Sequence, residues 1–202
     1  MRHALQPLFG DLTDEVLREY RRIERVVEAE QPFRRYRGVL AEALGRAAVV
    51  VGVRVPNGES HVLSETLPEW PLFADTDLVL QRLRDFGLRI AVLSNVDDDL
   101  IAGTLRQLTV DFDEIVTAEQ VRSYKPADAH LVEFQRRSGV GRRGWIHAGA
   151  SWFHDVEPAR RLGIEVVYVN RQRTDVPDSS AWIVENLREL PDAVLDIFEG
   201  RN

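Results

Sequence analysis

The chain has 202 residues, 44% of them apolar and 29% charged, the balance of one ordinary folded domain or of a core with a small appendage. It has no cysteine, which excludes a disulfide scaffold, thiolate zinc sites and a cysteine nucleophile. No apolar run approaches a membrane span, residues 1–11 lack a secretory apolar segment, and the net charge is −7 with no basic stripe; we therefore expect a cytoplasmic protein with neither a membrane nor a nucleic-acid partner.

Residues 1–70 read as helices. Thr13, Asp14 and Glu15 open the first, and Leu12, Val16, Tyr20, Ile23 and Val27 recur at spacings of three and four, one apolar face. A second follows Pro32, with Tyr36, Val39, Leu40, Ala43, Leu44 and Ala47 inside. Pro56-Asn57-Gly58 is a turn, residues 59–67 are a short third helix, and residues 69–73 are a connector at a domain boundary. From residue 74 helices alternate with short apolar strands. The reading is helix 76–86, strand 89–93, a helix with Leu100, Ile101, Leu105 and Leu108, and strand 114–116. A helix opened by Pro126 and closed by Gly139 follows, then strand 144–147, a helix with Pro158 in its first turn and Gly163 at its end, strand 165–169 and a weaker strand 182–184. Alternation of this kind predicts right-handed βαβ units and a mainly parallel, Rossmann-like α/β core, residues 71–202, beside an all-helical residues 1–70. Ligands of open α/β sheets sit beyond the carboxyl ends of the strands. That rule selects Ser94 and Asn95, the loop carrying Lys125, and residues 149–155.

Lys125 is the only lysine; the other 25 of the 26 basic residues are arginine. A coding bias toward arginine explains the trend. A lysine that survives such a bias marks a place where a compact ammonium does what a planar guanidinium does not.

Three segments, in this order, resemble the haloacid dehalogenase superfamily, nearest to its 2-haloacid dehalogenases and small-molecule phosphatases. VLSN (residues 92–95) is similar to its second motif, a hydroxyl residue ending a strand. VRSYKP (121–126) is similar to the third, a lysine before a helix, and GASWFHDVEPARRLGI (149–164) to the fourth, a glycine turn with an acid six residues on. With FADT (73–76) at the start of the core, order and spacing carry the match, and residues 1–70 look like the subgroup's helical cap. The resemblance implies a site for a small anionic substrate, carboxylate or phosphate.

Two features of the family pattern are absent. The resemblance implies an aspartate nucleophile in a DxxGT-like motif ending a first, central strand, and this sequence carries none. LFGDLTD (8–14) is the nearest look-alike, and we read its Asp11 as a loop residue ahead of a helix. Metal-using members carry an acid directly after the fourth-motif glycine, where this chain has Ala150, so a Mg²⁺ site is not expected and the dehalogenase branch, which uses no metal, is preferred to the phosphatases. Without the central strand, the strands before Ser94 and before Gly149 have open apolar edges. Three resolutions are open: the two strands close on each other, a partner chain lends a strand, as in a homodimer, or the native protein is longer by about 20 residues.

The expected catalytic residues are therefore Lys125, Asp155, Ser94 and Asn95. Lys125 would bind a substrate carboxylate or phosphate, or act as an amine base; Asp155 would orient water or Lys125; Ser94 and Asn95 would bond an oxyanion, or else only shape a turn. Ser151 and His154 are expected to contact substrate; His154 and His147 are both candidate bases, with His147, inside a strand, read as a packed core residue in preference. From the cap, Arg34, Tyr36 and Arg37 resemble a cluster that faces the site in this subgroup, against the reading of a solvated arginine face. Asp97, Asp98 and Asp99 are read as helix-start acids rather than metal ligands.

Overall fold

The computed structural model describes residues 1–178 and 180–200; Ser179, Arg201 and Asn202, which fall in the expected core, lie outside the described residues. The chain forms two compact units. The first comprises residues 1–72, 94–107 and 117–124, and so takes in two segments beyond the amino-terminal seventy residues. The second comprises residues 73–93, 108–116 and the chain from Lys125 onward.

The first unit is helical: α1 (Arg2–Phe9), α2 (Thr13–Ala29), α3 (Tyr36–Val51) and α4 (Val62–Thr66), joined later in the chain by α6 (Asp98–Leu105) and α7 (Ala118–Val121). The stripes read from the sequence form its core, with Val16, Tyr20, Val39, Leu40, Ala43, Leu44 and Ala47 all buried. Leu12 is the exception, exposed in the turn before α2. α1 was not foreseen; its Leu5 and Phe9 are buried in the same core. The expected third helix is interrupted, α4 lying between two single 3₁₀ turns.

Asp97 is wholly buried, and its two carboxylate oxygens accept the backbone N–H groups of Tyr36 and Arg37 at 2.8 and 3.0 Å. It thus caps the start of α3, a helix 60 residues away in sequence, rather than its own. Asp98 accepts Thr117 Oγ1 at 2.6 Å and Gln120 Nε2 at 2.7 Å, and Asp99 pairs with Arg37. Asp97 and Asp99 thus share Arg35 and Arg37, while Asp98 serves Thr117 and Gln120.

The second unit holds α5 (Thr76–Asp85), β1 (Ala91–Ser94, whose last residue belongs to the first unit), β2 (Glu114–Thr117, likewise), α8 (Ala129–Ser138), β3 (Ile146–Gly149), α9 (Glu157–Arg161), β4 (Glu165–Val169), β5 (Trp182–Val184) and α10 (Leu190–Glu199). β4 is its buried centre, parallel to β3 in the register Ile146↔Glu165 to Gly149↔Tyr168 and to β5 from Val167↔Trp182. α10 went unforeseen; it buries Val194 and Ile197 against Val167, Val169 and α5. Helix α8 starts at Ala129 rather than at Pro126, and the Pro126 carbonyl accepts Arg161 Nη2 at 2.9 Å. Asp75 of the FADT segment is a staple: Arg171 grips both its oxygens at 2.8 and 2.9 Å while Leu187 N–H donates at 3.0 Å.

The strands make two sheets, β1–β2 and β3–β4–β5. Among the described residues β1 and β3 are not paired, so the first of the three expected resolutions, closure of these strands on each other, is not what the chain does. The carbonyl of Leu93, near the end of β1, accepts Lys125 Nζ at 2.9 Å.

Gly103 gives the fold its most direct test. A Cβ there would lie 2.2 Å from Pro68 Cβ, with Pro68 Cα at 2.9 Å. Gly103→Ala is expected to cost about 1–3 kcal/mol in urea unfolding despite alanine's better helix propensity; an unchanged midpoint would show that this packing gives way freely.

Candidate functional site

Lys125 and Asp155 meet in the second unit as a buried ion pair, Nζ to Oδ1 at 2.6 Å, both side chains about nine-tenths buried. The local backbone aims the acid. After β3 the chain makes a π-turn, Trp152–Val156, whose extra residue per turn carries Asp155 back toward the strand end. Asp155 then packs against Gly149, where a Cβ would come within 2.4 Å of its Cβ and Cγ. Glycine is required there by close approach, not by backbone angle.

Asp155 is surrounded by donors. Its Oδ2 accepts Ser151 N–H at 3.1 Å, and its Oδ1, besides Lys125, lies 3.4 Å from His147 Nε2. Burial alone would raise this carboxyl. The Lys125 ammonium, followed by His147, outweighs burial and holds it well below the ordinary carboxylate range. The ammonium donates to a carboxylate and to a carbonyl, the arrangement of a fixed positive charge rather than of a bare amine nucleophile.

Ser151 and His154 lie on the same turn, Ser151 Oγ 3.0 Å from His154 Nδ1. The sequence thus placed four residues that the fold brings together: Lys125, Asp155, Ser151 and His154. It missed one. His147 was assigned to the core, and it is buried, but its ring also reaches Asp155. Its one legible signal is a titratable side chain inside an otherwise apolar strand.

The remaining candidates fall in the first unit. Ser94 and Asn95 continue the chain directly from the Leu93 carbonyl, and Asn95 Nδ2 makes a long contact of 3.4 Å to Glu28 Oε1. Arg34 pairs with Glu42 at 3.4 Å and Glu30 at 3.7 Å, in a network with Arg46. The Tyr36 hydroxyl donates to Glu24 Oε1 at 2.7 Å, and Tyr20 donates to the same oxygen at 2.6 Å. Burial, with Glu24 adding to it, pushes both phenols far above their ordinary value. Arg34 and Tyr36 thus have carboxylate partners inside their own unit. Asp11, the look-alike nucleophile, is exposed in the 3₁₀ turn Gly10–Leu12.

Asp155→Asn leaves a buried ammonium without its counter-charge and is expected to cost about 3–5 kcal/mol at neutral pH. A depressed carboxyl stabilises the fold above its unfolded value, 3.8, and this stabilisation drains away as the pH falls below that. The gap between wild type and Asp155→Asn in denaturant midpoint should therefore be constant from pH 7 to about pH 4 and narrow in stronger acid. Gly149→Ala should show a similar loss by displacing Asp155.

A model of the family described as haloacid dehalogenase-like hydrolase matches residues 55–169, more than half of the chain. The haloacid dehalogenase-like hydrolase domain-containing protein 3 of Danio rerio is 34% identical over 127 residues, covering 60% of this chain and 52% of that protein. The (S)-2-haloacid dehalogenase of Pseudomonas fluorescens is 24% identical over 154 residues, covering 74% of this chain and 67% of that one. The chain therefore spans about half to two thirds of the length of these curated relatives. Two solved L-2-haloacid dehalogenases share the fold: one at a TM-score of 0.86 with 19% identity, over 96% of this chain and 91% of that one, and that of Xanthobacter autotrophicus at 0.82 with 18% identity, also over 96% and 91%. No helix among the described residues is long and apolar enough to cross a membrane. The α/β fold, the order of the three motif segments and the matched span agree: the chain belongs to the haloacid dehalogenase-like hydrolases.

Proposed function

We propose that this chain acts on a small molecule bearing a carboxylate or phosphate, with Lys125 as the fixed positive charge at its site, and that its 202 residues do not follow an aspartyl-ester route of their own. The observation that carries the reading is the buried Lys125–Asp155 pair at the carboxyl end of the parallel strands, where α/β sheets hold ligands. Asp155 is the motif acid, and it is already bound to Lys125, His147 and Ser151 N–H, so it is a positioning group rather than a free nucleophile.

The same donor set supports chemistry without a metal. Mg²⁺ requires several hard oxygen ligands in octahedral array. Here Ala150 occupies the second-acid position, and the one carboxylate of the site accepts an ammonium.

A second reading is favoured by β1 and β3 each having, among the described residues, an edge with no strand partner. An extended segment from outside these 202 residues would pair with both strands and present a carboxylate to Lys125, giving an ordinary dehalogenase, less readily a phosphatase. A third, a non-catalytic binding module on the same fold, shares the anion site and differs only in having no turnover.

Titration of the protein with 2-chloropropionate and with inorganic phosphate, together with a halide-release assay, tests the reading. Binding of at least one anion is expected, weakened about tenfold or more in Lys125→Met and not rescued by Lys125→Arg, whose planar fork does not replace a point charge. No halide release above the uncatalysed rate is expected from the chain itself. Turnover of 2-chloropropionate would overturn the claim that the chain lacks its own hydrolytic route, and absence of binding by both anions would overturn the substrate class.

A further inference from the structure

Ser151 and His154 form a hydroxyl–imidazole pair on the π-turn that leaves β3. Oγ lies 3.0 Å from Nδ1, inside the range of serine–base contacts; both residues are half-buried, and His154 Nε2 is itself buried. The backbone around the serine is fixed, because Ser151 N–H donates to Asp155 Oδ2 at 3.1 Å and Asp155 is itself held by Lys125. The half-exposed Phe153 ring meets the imidazole edge-on at 4.9 Å between centroids. His154 N–H also donates to Ser151 Oγ at 3.1 Å, a bond that strengthens as negative charge builds on that oxygen. A hydroxyl that only caps a helical turn needs the N–H contact and no imidazole.

We propose that Ser151 is a nucleophile toward activated carboxylic esters and phosphonyl fluorides, with His154 as its general base. This goes beyond the anion-binding reading and does not depend on it. In the first step Nδ1 takes the hydroxyl proton as Oγ bonds to the carbonyl carbon. The tetrahedral oxyanion collapses and expels the alcohol oxygen, which leaves with the proton returned by the imidazolium. In the second step Nδ1 takes a proton from water, hydroxide attacks the acyl-serine, and Ser151 departs with that proton as the carboxylic acid is released.

The experiment is labelling of the whole chain with a fluorophosphonate, followed by peptide mass mapping. The background is low, because the protein has no cysteine and its only lysine is buried. A single adduct on Ser151 is expected, with loss of fluoride, and none in Ser151→Ala. His154→Gln, with an unchanged circular dichroism spectrum, should label about 100-fold more slowly. A burst of p-nitrophenol from p-nitrophenyl acetate should follow the same order. If folded wild type takes no label at Ser151, or if His154→Gln labels at the wild-type rate, the pair is a turn cap and the proposal falls.

Discussion

Burying an ammonium is costly, and the second unit is arranged around meeting that cost at Lys125. Three stretches of chain far apart in sequence converge on one nitrogen: the carbonyl of Leu93, the lysine itself, and Asp155. Each depends on something behind it. Asp155 reaches the lysine only because the π-turn returns it toward β3 and because Gly149 has no side chain to obstruct it. Ser151 N–H and His147 then occupy other positions around the same carboxylate. A buried pair of this kind adds little to stability compared with an apolar substitute, yet losing one partner is severe. Its value is therefore in placing a charge.

The same nitrogen bears on the sheet. Parallel strands are usually buried on both faces and paired on both edges. β4 meets that description, whereas β1 is half-buried along its whole length and ends on a carbonyl satisfied by a lysine. Among the described residues the strands divide into a pair and a parallel triplet, and β1 and β3 each keep an edge with no strand partner.

Much of this was legible in the residues, and for definite reasons. β4 begins and ends where its apolar run does, because a buried parallel strand writes itself as continuous apolar residues, whereas β5 keeps its apolar run with Trp182 and Ile183 exposed and only Val184 buried. α2 and α3 follow their stripes because each buries one face. Of the candidate site, Lys125 and Asp155 stood out through rarity and through position at strand ends. What stayed hidden depends on long-range or irregular geometry. A π-turn has no sequence period. Nothing in the aspartate triplet at 97–99 shows that its first member caps a helix some sixty residues earlier. His147 reads as core because it is core, and its second role appears only once Asp155 turns back. α10 was the avoidable omission, since Asn186, Pro191 and the spacing of Val194 and Ile197 signal an ordinary helix.

The near-absence of lysine reaches beyond the site. The positive charge of this protein resides in 25 guanidinium groups and a single ammonium. Guanidinium keeps its proton past pH 12 or so. Burial lifts the phenols of Tyr20, Tyr36 and Tyr124 as well. Most proteins shed charge steadily through mildly alkaline solution as lysines and tyrosines titrate. This one has almost nothing to release there, so its electrophoretic mobility and its long-range field should form a plateau where those of lysine-rich proteins slope.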